Sequence, residues 1–187
     1  PGFYFFKQIQ VFMSDLTHPP HKLSPQIHLN RAKGYFQLEM FDDVEVELRA
    51  VEDVLPWSKE KREILTFLYQ ERKEWELMQH QARSLRIEFI DEEDWWVSEA
   101  YATRRAKGII EARDILLEGL AIHQESSIIR YNLACYACQL GDLDETLDFL
   151  KEAVERDEKY KLIALDDEDL EKVRKTLIQL GWDKVAV

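Results

Sequence analysis

Four stretches of this chain repeat at a spacing of thirty-four residues, with Ala32, Thr66, Ala100 and Ala134 at one slot and Phe41, Trp75, Ile109 and Leu143 at another. A fixed period of this length means one supersecondary unit used several times, each burying its apolar face against a neighbour, and about thirty-four residues is the length of a two-helix unit. Within the stretches apolar residues run at helical spacing, as in Leu143, Leu147, Leu150, Ala153 and Val154, with a turn near Gly141-Asp142 in the last. Ser24, Ser58 and Ser126 recur on the same period, with Glu92 at the odd slot. Each lies just ahead of a helical pattern, where a side-chain oxygen can accept from an unpaired backbone N–H of the first turn. Pro25 suits a first helical position, because its missing N–H costs nothing there. The pattern predicts antiparallel helix pairs over 25–56, 58–90, 93–124 and 126–157, an all-α chain.

These residues resemble the tetratricopeptide repeat family. Tyr131-Asn132-Leu133-Ala134 followed by Gln139-Leu140-Gly141-Asp142-Leu143-Asp144-Glu145-Thr146-Leu147 reads almost as that family's consensus. Trp96, Ala100 and Ala112 fall where the family places its tryptophan and two alanines, and Tyr35, Phe41 and Pro56 take its tyrosine, aromatic and closing-proline slots. The resemblance covers residues 25–160, as units 25–58, 59–92, 93–126 and 127–160. Glu39 and Lys73 depart from it where the family has glycine between helices, Gly108 comes one residue late, and Arg31 and Glu99 fill usually apolar slots. The resemblance implies a right-handed superhelical solenoid that binds other proteins and does not catalyse.

With 187 residues, 45% apolar and 33% charged, the composition is that of one helical domain with a sizeable core. The net charge of -12 repels a phosphate backbone, and Arg104-Arg105 is the largest basic cluster, so nucleic acid is not an expected partner. No apolar run approaches the roughly eighteen residues of a membrane span. Two cysteines and the lack of a secretory leader pattern place the chain, as an expectation, in the reducing cytoplasm.

Two segments flank the repeats, 1–24 and 161–187. Lys161 to Leu165 reads as a short link. Asp166-Asp167 then offers a cap to a helix carrying Leu170, Val173, Leu177 and Leu180 on one face and ending at Gly181, a polar-backed lid on the last unit. At the other end Phe3-Tyr4-Phe5-Phe6 through Val11-Phe12 is too apolar to stay solvated, and Met13 is a candidate start with the residues before it non-native. If native, that arm is expected to fill a groove, its own or that of a second copy in a homodimer.

In the family that this chain resembles, the first helix of each unit lines the concave groove. The resemblance thus assigns to a peptide-binding groove Leu29, Lys33 and Phe36, then Glu63, Phe67 and Gln70, then Val97, Tyr101 and Arg104 with Arg105, then Ile128, Tyr131, Cys135 and Cys138. Aromatic and apolar side chains there suit a peptide or partner protein with apolar anchors, and Lys33, Arg104 or Arg105 suits an acidic group. Ile64 and Asp94 stand where the family's carboxylate-binding site would want asparagine and lysine, which disfavours a receptor for chaperone tails.

Cys135-Tyr136-Ala137-Cys138 has the spacing of a redox pair or half a zinc site, which makes a redox or metal-dependent enzyme the alternative function. It lies within a helical pattern with no second cysteine pair, and a depressed thiol pKa would be its signature. Asp91-Glu92-Glu93-Asp94 opposes a helix dipole, the histidines His18, His21, His28, His80 and His123 lack the spacing of a helical metal site, and there is no phosphate loop or nucleophile elbow. No catalytic residue, metal or cofactor is expected.

Overall fold

The computed structural model describes residues 23–183, so the arm Phe3–Phe12, its expected docking and the start at Met13 lie outside the described residues. The elements are α1 (Pro25–Gln37), α2 (Phe41–Arg49), α3 (Trp57–Glu71), α4 (Trp75–Glu88), α5 (Glu93–Ala106), α6 (Ile109–Ile122), α7 (Ser127–Leu140), α8 (Leu143–Arg156), α9 (Tyr160–Asp166), a 3₁₀ turn (Glu168–Leu170) and α10 (Arg174–Gln179). No strand occurs among the described residues, and the fold is all-α. Phe41, Trp75, Ile109 and Leu143 are each the first residue of a pair's second helix. Ala32, Thr66, Ala100 and Ala134 are all 0% exposed. Helix axes come closest where the side chains between them are smallest, so the periodic small residue sets the packing distance. Thr66 meets the same need because its hydroxyl donates to the Arg62 carbonyl at 2.8 Å and leaves no buried donor unpaired.

The turns explain two departures from the repeat pattern. Glu39 and Lys73, which stand in place of glycine, both adopt φ 58, the left-handed conformation that Gly141 takes at φ 92. The backbone geometry is kept and the side chain bears a strain of about 1–2 kcal/mol. The third turn is built differently, with Lys107 at φ -126 and Gly108 in extended backbone ahead of α6. Of the expected serine caps, Ser126 accepts from Ile129 N at 3.1 Å, Ser24 makes no side-chain cap bond, and Ser58 lies inside α3. At the odd slot Glu92 precedes α5 without a side-chain cap bond, and its carboxylate accepts from the Trp95 indole Nε1 at 2.8 Å.

The chain divides into two compact units within α3, one up to Lys61 and one from Arg62. In the first, α1 packs on α2 and buries Leu29, Ala32, Val44 and Leu48. The second helix stops at Arg49, well short of Pro56. Val51, just beyond its end, is buried. In the second unit successive helices from α4 to α8 pack in order, and the first helices α5 and α7 also touch. Its core runs from Trp96 and Ala100 through Leu116, Ile129, Leu133 and Leu150 to Leu170, Val173 and Leu177.

The end of the chain differs from the single helix that the apolar spacing predicts. Lys161 to Leu165, which reads as a link, lies within the helix Tyr160–Asp166, and the segment after it breaks into the 3₁₀ turn and α10. Leu170 and Val173 are three apart, so a 3₁₀ winding eclipses them and turns both inward, with Val173 N donating to Leu170 O at 3.0 Å. Leu177 is buried too, but Leu180, expected on the same face, is 63% exposed because α10 ends at Gln179. Gly181, at φ 79, follows as the stop.

The slot of the family's tryptophan holds His28, Arg62, Trp96 and Arg130. Three of these bond a carboxylate on the second helix of the same pair. His28 lies 2.5 Å from Glu47, Arg62 donates to Glu88 at 2.6 Å, and Arg130 donates to Glu152 at 2.7 Å. Trp96 instead lies under the Arg86 guanidinium, 4.3 Å away, and a Cβ at Gly119 would come within 3.0 Å of its ring. Arg86 also holds Glu99, the acid in an apolar slot, and Arg31 lies 3.6 Å from Glu47. The charged departures are thus interhelical pairs.

Two outcomes test this packing. Ala134→Trp is expected to overpack its contact and lower stability by about 1–3 kcal/mol, read from the urea midpoint. Glu99→Ala leaves Arg86 with an unanswered charge and is expected to cost about 3 kcal/mol, whereas the double variant Arg86→Met, Glu99→Leu recovers most of it. An equal loss in both would overturn the assignment.

Candidate functional site

The residues assigned to the binding groove do not share one environment. In the first unit, Leu29 is fully buried, Lys33 pairs with Glu60 at 2.6 Å, and Phe36 packs edge-on against Phe41 at 5.7 Å between ring centres. Leu29 and Phe36 pack within their own helix pair, and Lys33 ties α1 to the start of α3.

In the second unit, Lys33's slot recurs as Phe67, Tyr101 and Cys135. Phe67, on α3, is 50% exposed, a large aromatic surface left in water. Tyr101, on α5, is half-buried, with the Arg105 guanidinium 3.4 Å from its ring centre and Trp75 edge-on at 6.0 Å. Arg105 also lies 5.2 Å from the Trp75 ring and donates to the Tyr101 carbonyl at 3.2 Å, and has no carboxylate partner among the described residues. Beside it an open cleft of about 390 Å³ is lined by Lys73, Glu74, Trp75, Glu76, Leu77, Arg105 and Ala106. A guanidinium stacked on aromatic rings keeps its edge N–H groups free for an acceptor, which suits an acidic group beside an apolar anchor. Glu63, Gln70, Val97 and Ile128 are all half-buried, and Val97 and Ile128 pack against the core.

At the fourth pair the same face is covered. Tyr131, Cys135 and Cys138 are buried. The Tyr131 hydroxyl donates to Asp167 at 2.7 Å, and the Cys135 thiol lies 3.6 Å from the same carboxylate oxygen. Arg104 grips Asp169 with two parallel bonds, that from Nη2 being 2.8 Å, so this cation is spent within the chain. Gln139 Nε2 donates to the Asp169 carbonyl at 2.8 Å, and Lys172 Nζ donates to Cys138 O at 3.0 Å. Asp167 is the residue that sequence reasoning missed. It was read only as a helix cap, a role it also has through Asp169 N at 2.9 Å, and no local pattern shows which helix its other oxygen meets.

Cys135, Asp167 and Asp169 bring three potential ligand atoms within 4.8 Å of one another. The Arg104 guanidinium stands where a cation would be needed, and the three groups are already bonded within the protein. Burial raises the Cys135 thiol far above its ordinary value, and the carboxylates of Asp167 and Asp169 push it the same way. Burial also raises Cys138, with Lys172 opposing it. An activated thiol needs the opposite shift.

Burial raises Tyr131, and takes Tyr136 up to about 12. Groups whose folded pKa exceeds the unfolded value stabilise the fold while protonated, because the unfolded chain gives up its protons first. Stability is therefore expected to hold below about pH 8.5, fall as the pH passes the ordinary thiol range, and fall further above about pH 10. Urea midpoints between pH 7 and 11 check this. The Cys135→Ala, Cys138→Ala variant should lose the first part of the fall.

No family model and no curated protein matches this chain. Among solved structures it is similar to one described as MamA MSR-1 C2, a tetratricopeptide-like protein, with a TM-score of 0.56 at 15% identity over 86% of this chain and 98% of that one. At that identity the likeness is one of fold, a tetratricopeptide-like helical repeat.

Proposed function

We propose that this protein is an interaction scaffold that binds a peptide or partner protein along the first helices of its second unit, with Phe67, Tyr101 and Arg105 as principal contacts. The observation that carries this reading is the exposed aromatic Phe67 one period from Tyr101, whose ring bears a guanidinium with no carboxylate partner among the described residues. A helical-repeat fold supports it, since such folds present successive first helices on one surface. Aromatic and arginine side chains are the residue types that dominate binding interfaces. The ligand that fits is a segment with an apolar or aromatic anchor and a nearby acidic group.

The rest of the charge distribution narrows the partner further. Lys33 and Arg104, the other cations assigned to the groove, are committed to Glu60 and Asp169. With a net charge of -12, the chain repels polyanions at long range, so nucleic acid does not fit. No helix among the described residues is long and apolar enough to cross a membrane.

Replacing Phe67 and Tyr101 by glutamate should reduce capture of a specific partner from cell extract at least about tenfold, the scale of an interface hot spot. Ile110→Glu is the control, an exposed apolar residue on the second helix α6, and should leave capture unchanged. Equal capture by all three proteins, with unchanged helicity by circular dichroism, would overturn the reading.

A further inference from the structure

The face that the fourth pair would offer a ligand is filled by the chain's own C-terminal segment. The contacts fall into two sets. Polar ones hold Asp167 and Asp169: the Tyr131 hydroxyl and Cys135 thiol on the first carboxylate, Arg104 on the second, and Gln139 on the Asp169 carbonyl. Apolar ones hold Leu170, Val173 and Leu177, all buried in the core of the second unit. The receiving groups sit on the first helices α5 and α7, two of them, Arg104 and Cys135, in the same repeat slots as Gln70 and Phe67 of the open face.

The segment has little structure of its own. It consists of a three-residue 3₁₀ turn, an irregular stretch and a six-residue helix. Helices shorter than about twelve residues are marginal alone in water, so this conformation is imposed by the face on which the segment lies. It is held as a short peptide is held: a bidentate arginine on an acid, a hydroxyl on a second acid two residues earlier, and leucine anchors behind.

We propose that the α5–α7 face is a receptor for an acidic segment of the pattern Asp-x-Asp-Leu, closed in this chain by residues 167–177, and that the natural ligand carries the same pattern. This rests on the reading of the first helices as the binding face. A tethered segment has an effective concentration on the order of millimolar, so the intact chain is closed to weak competitors and opens to a ligand that also engages Phe67, Tyr101 and Arg105. The acidic segment thereby selects partners that span both parts of the face.

The test uses a fluorescein-labelled synthetic peptide of residues 165–179 and the full chain, read by fluorescence anisotropy. Asp167→Asn with Asp169→Asn weakens the internal segment, and this variant is expected to bind the peptide at least tenfold more tightly than the intact protein. Adding Arg104→Glu should abolish that gain. A variant that binds no better than the intact chain, or one indifferent to Arg104→Glu, overturns the proposal.

Because these variants could unfold, a second measurement uses the unaltered protein. Millimolar unlabelled peptide should accelerate hydrogen exchange of the 170–179 amides while those of α5 stay protected, and unchanged exchange overturns the proposal. Failure here with Phe67- and Tyr101-dependent capture intact sinks the closed-receptor model alone. Loss of that capture dependence sinks the scaffold reading instead.

Discussion

The close approach of helices at one small residue per repeat is the constraint on which the rest of this structure depends. Ala32, Thr66, Ala100 and Ala134 lie fully out of solvent, and larger residues nearby are placed by the distance they set. Trp96 shows how tight the surroundings become, since a Cβ at Gly119 would come within 3.0 Å of its ring. Once the spacing is set, a pair can tolerate unusual chemistry elsewhere. Arg62 and Arg130 stand in a slot where the family has tryptophan, because Glu88 and Glu152 on the facing helices answer them.

Charge inside the second unit has a consistent logic. Three half-buried arginines meet a carboxylate, Arg86 meeting Glu99, Arg104 meeting Asp169 and Arg113 meeting Glu145, while Arg174 donates to the Asp167 carbonyl. Leaving one of them unanswered would cost more than the pair contributes, so such contacts specify which helices meet more than they stabilise. The exposed Arg105 lies against aromatic rings and has no carboxylate partner among the described residues. In the proposed function, the ligand supplies the carboxylate that this guanidinium, bonded only to the Tyr101 carbonyl, does not meet among the described residues.

The C-terminal segment limits how much of the repeat surface is open. It removes the fourth pair's face from solvent, takes up Arg104, and surrounds Cys135 with carboxylates that oppose thiolate formation. A cysteine pair with the spacing of a redox motif is thereby turned into core. Tyr131, which a repeat pattern alone would put on the ligand side, stacks on Tyr160 at 4.6 Å and bonds Asp167.

Spacing and residue size alone carried the helical class, the thirty-four-residue period and the recurrent small residues Ala32, Thr66, Ala100 and Ala134, all of them buried. Each of these follows from local spacing along one helix or from steric size, and both can be read one residue at a time. Tertiary structure decided the rest. Glu99 in an apolar slot reads as an anomaly until Arg86 faces it from another helix, and Leu180 reads as core until α10 ends at Gln179. Whether Tyr131 and Cys135 face a ligand or the core depended on Asp167, thirty-two or more residues away in sequence. Periodicity cannot show such pairings, because it records which face a side chain takes on its own helix and carries no information about which distant segment comes to lie there.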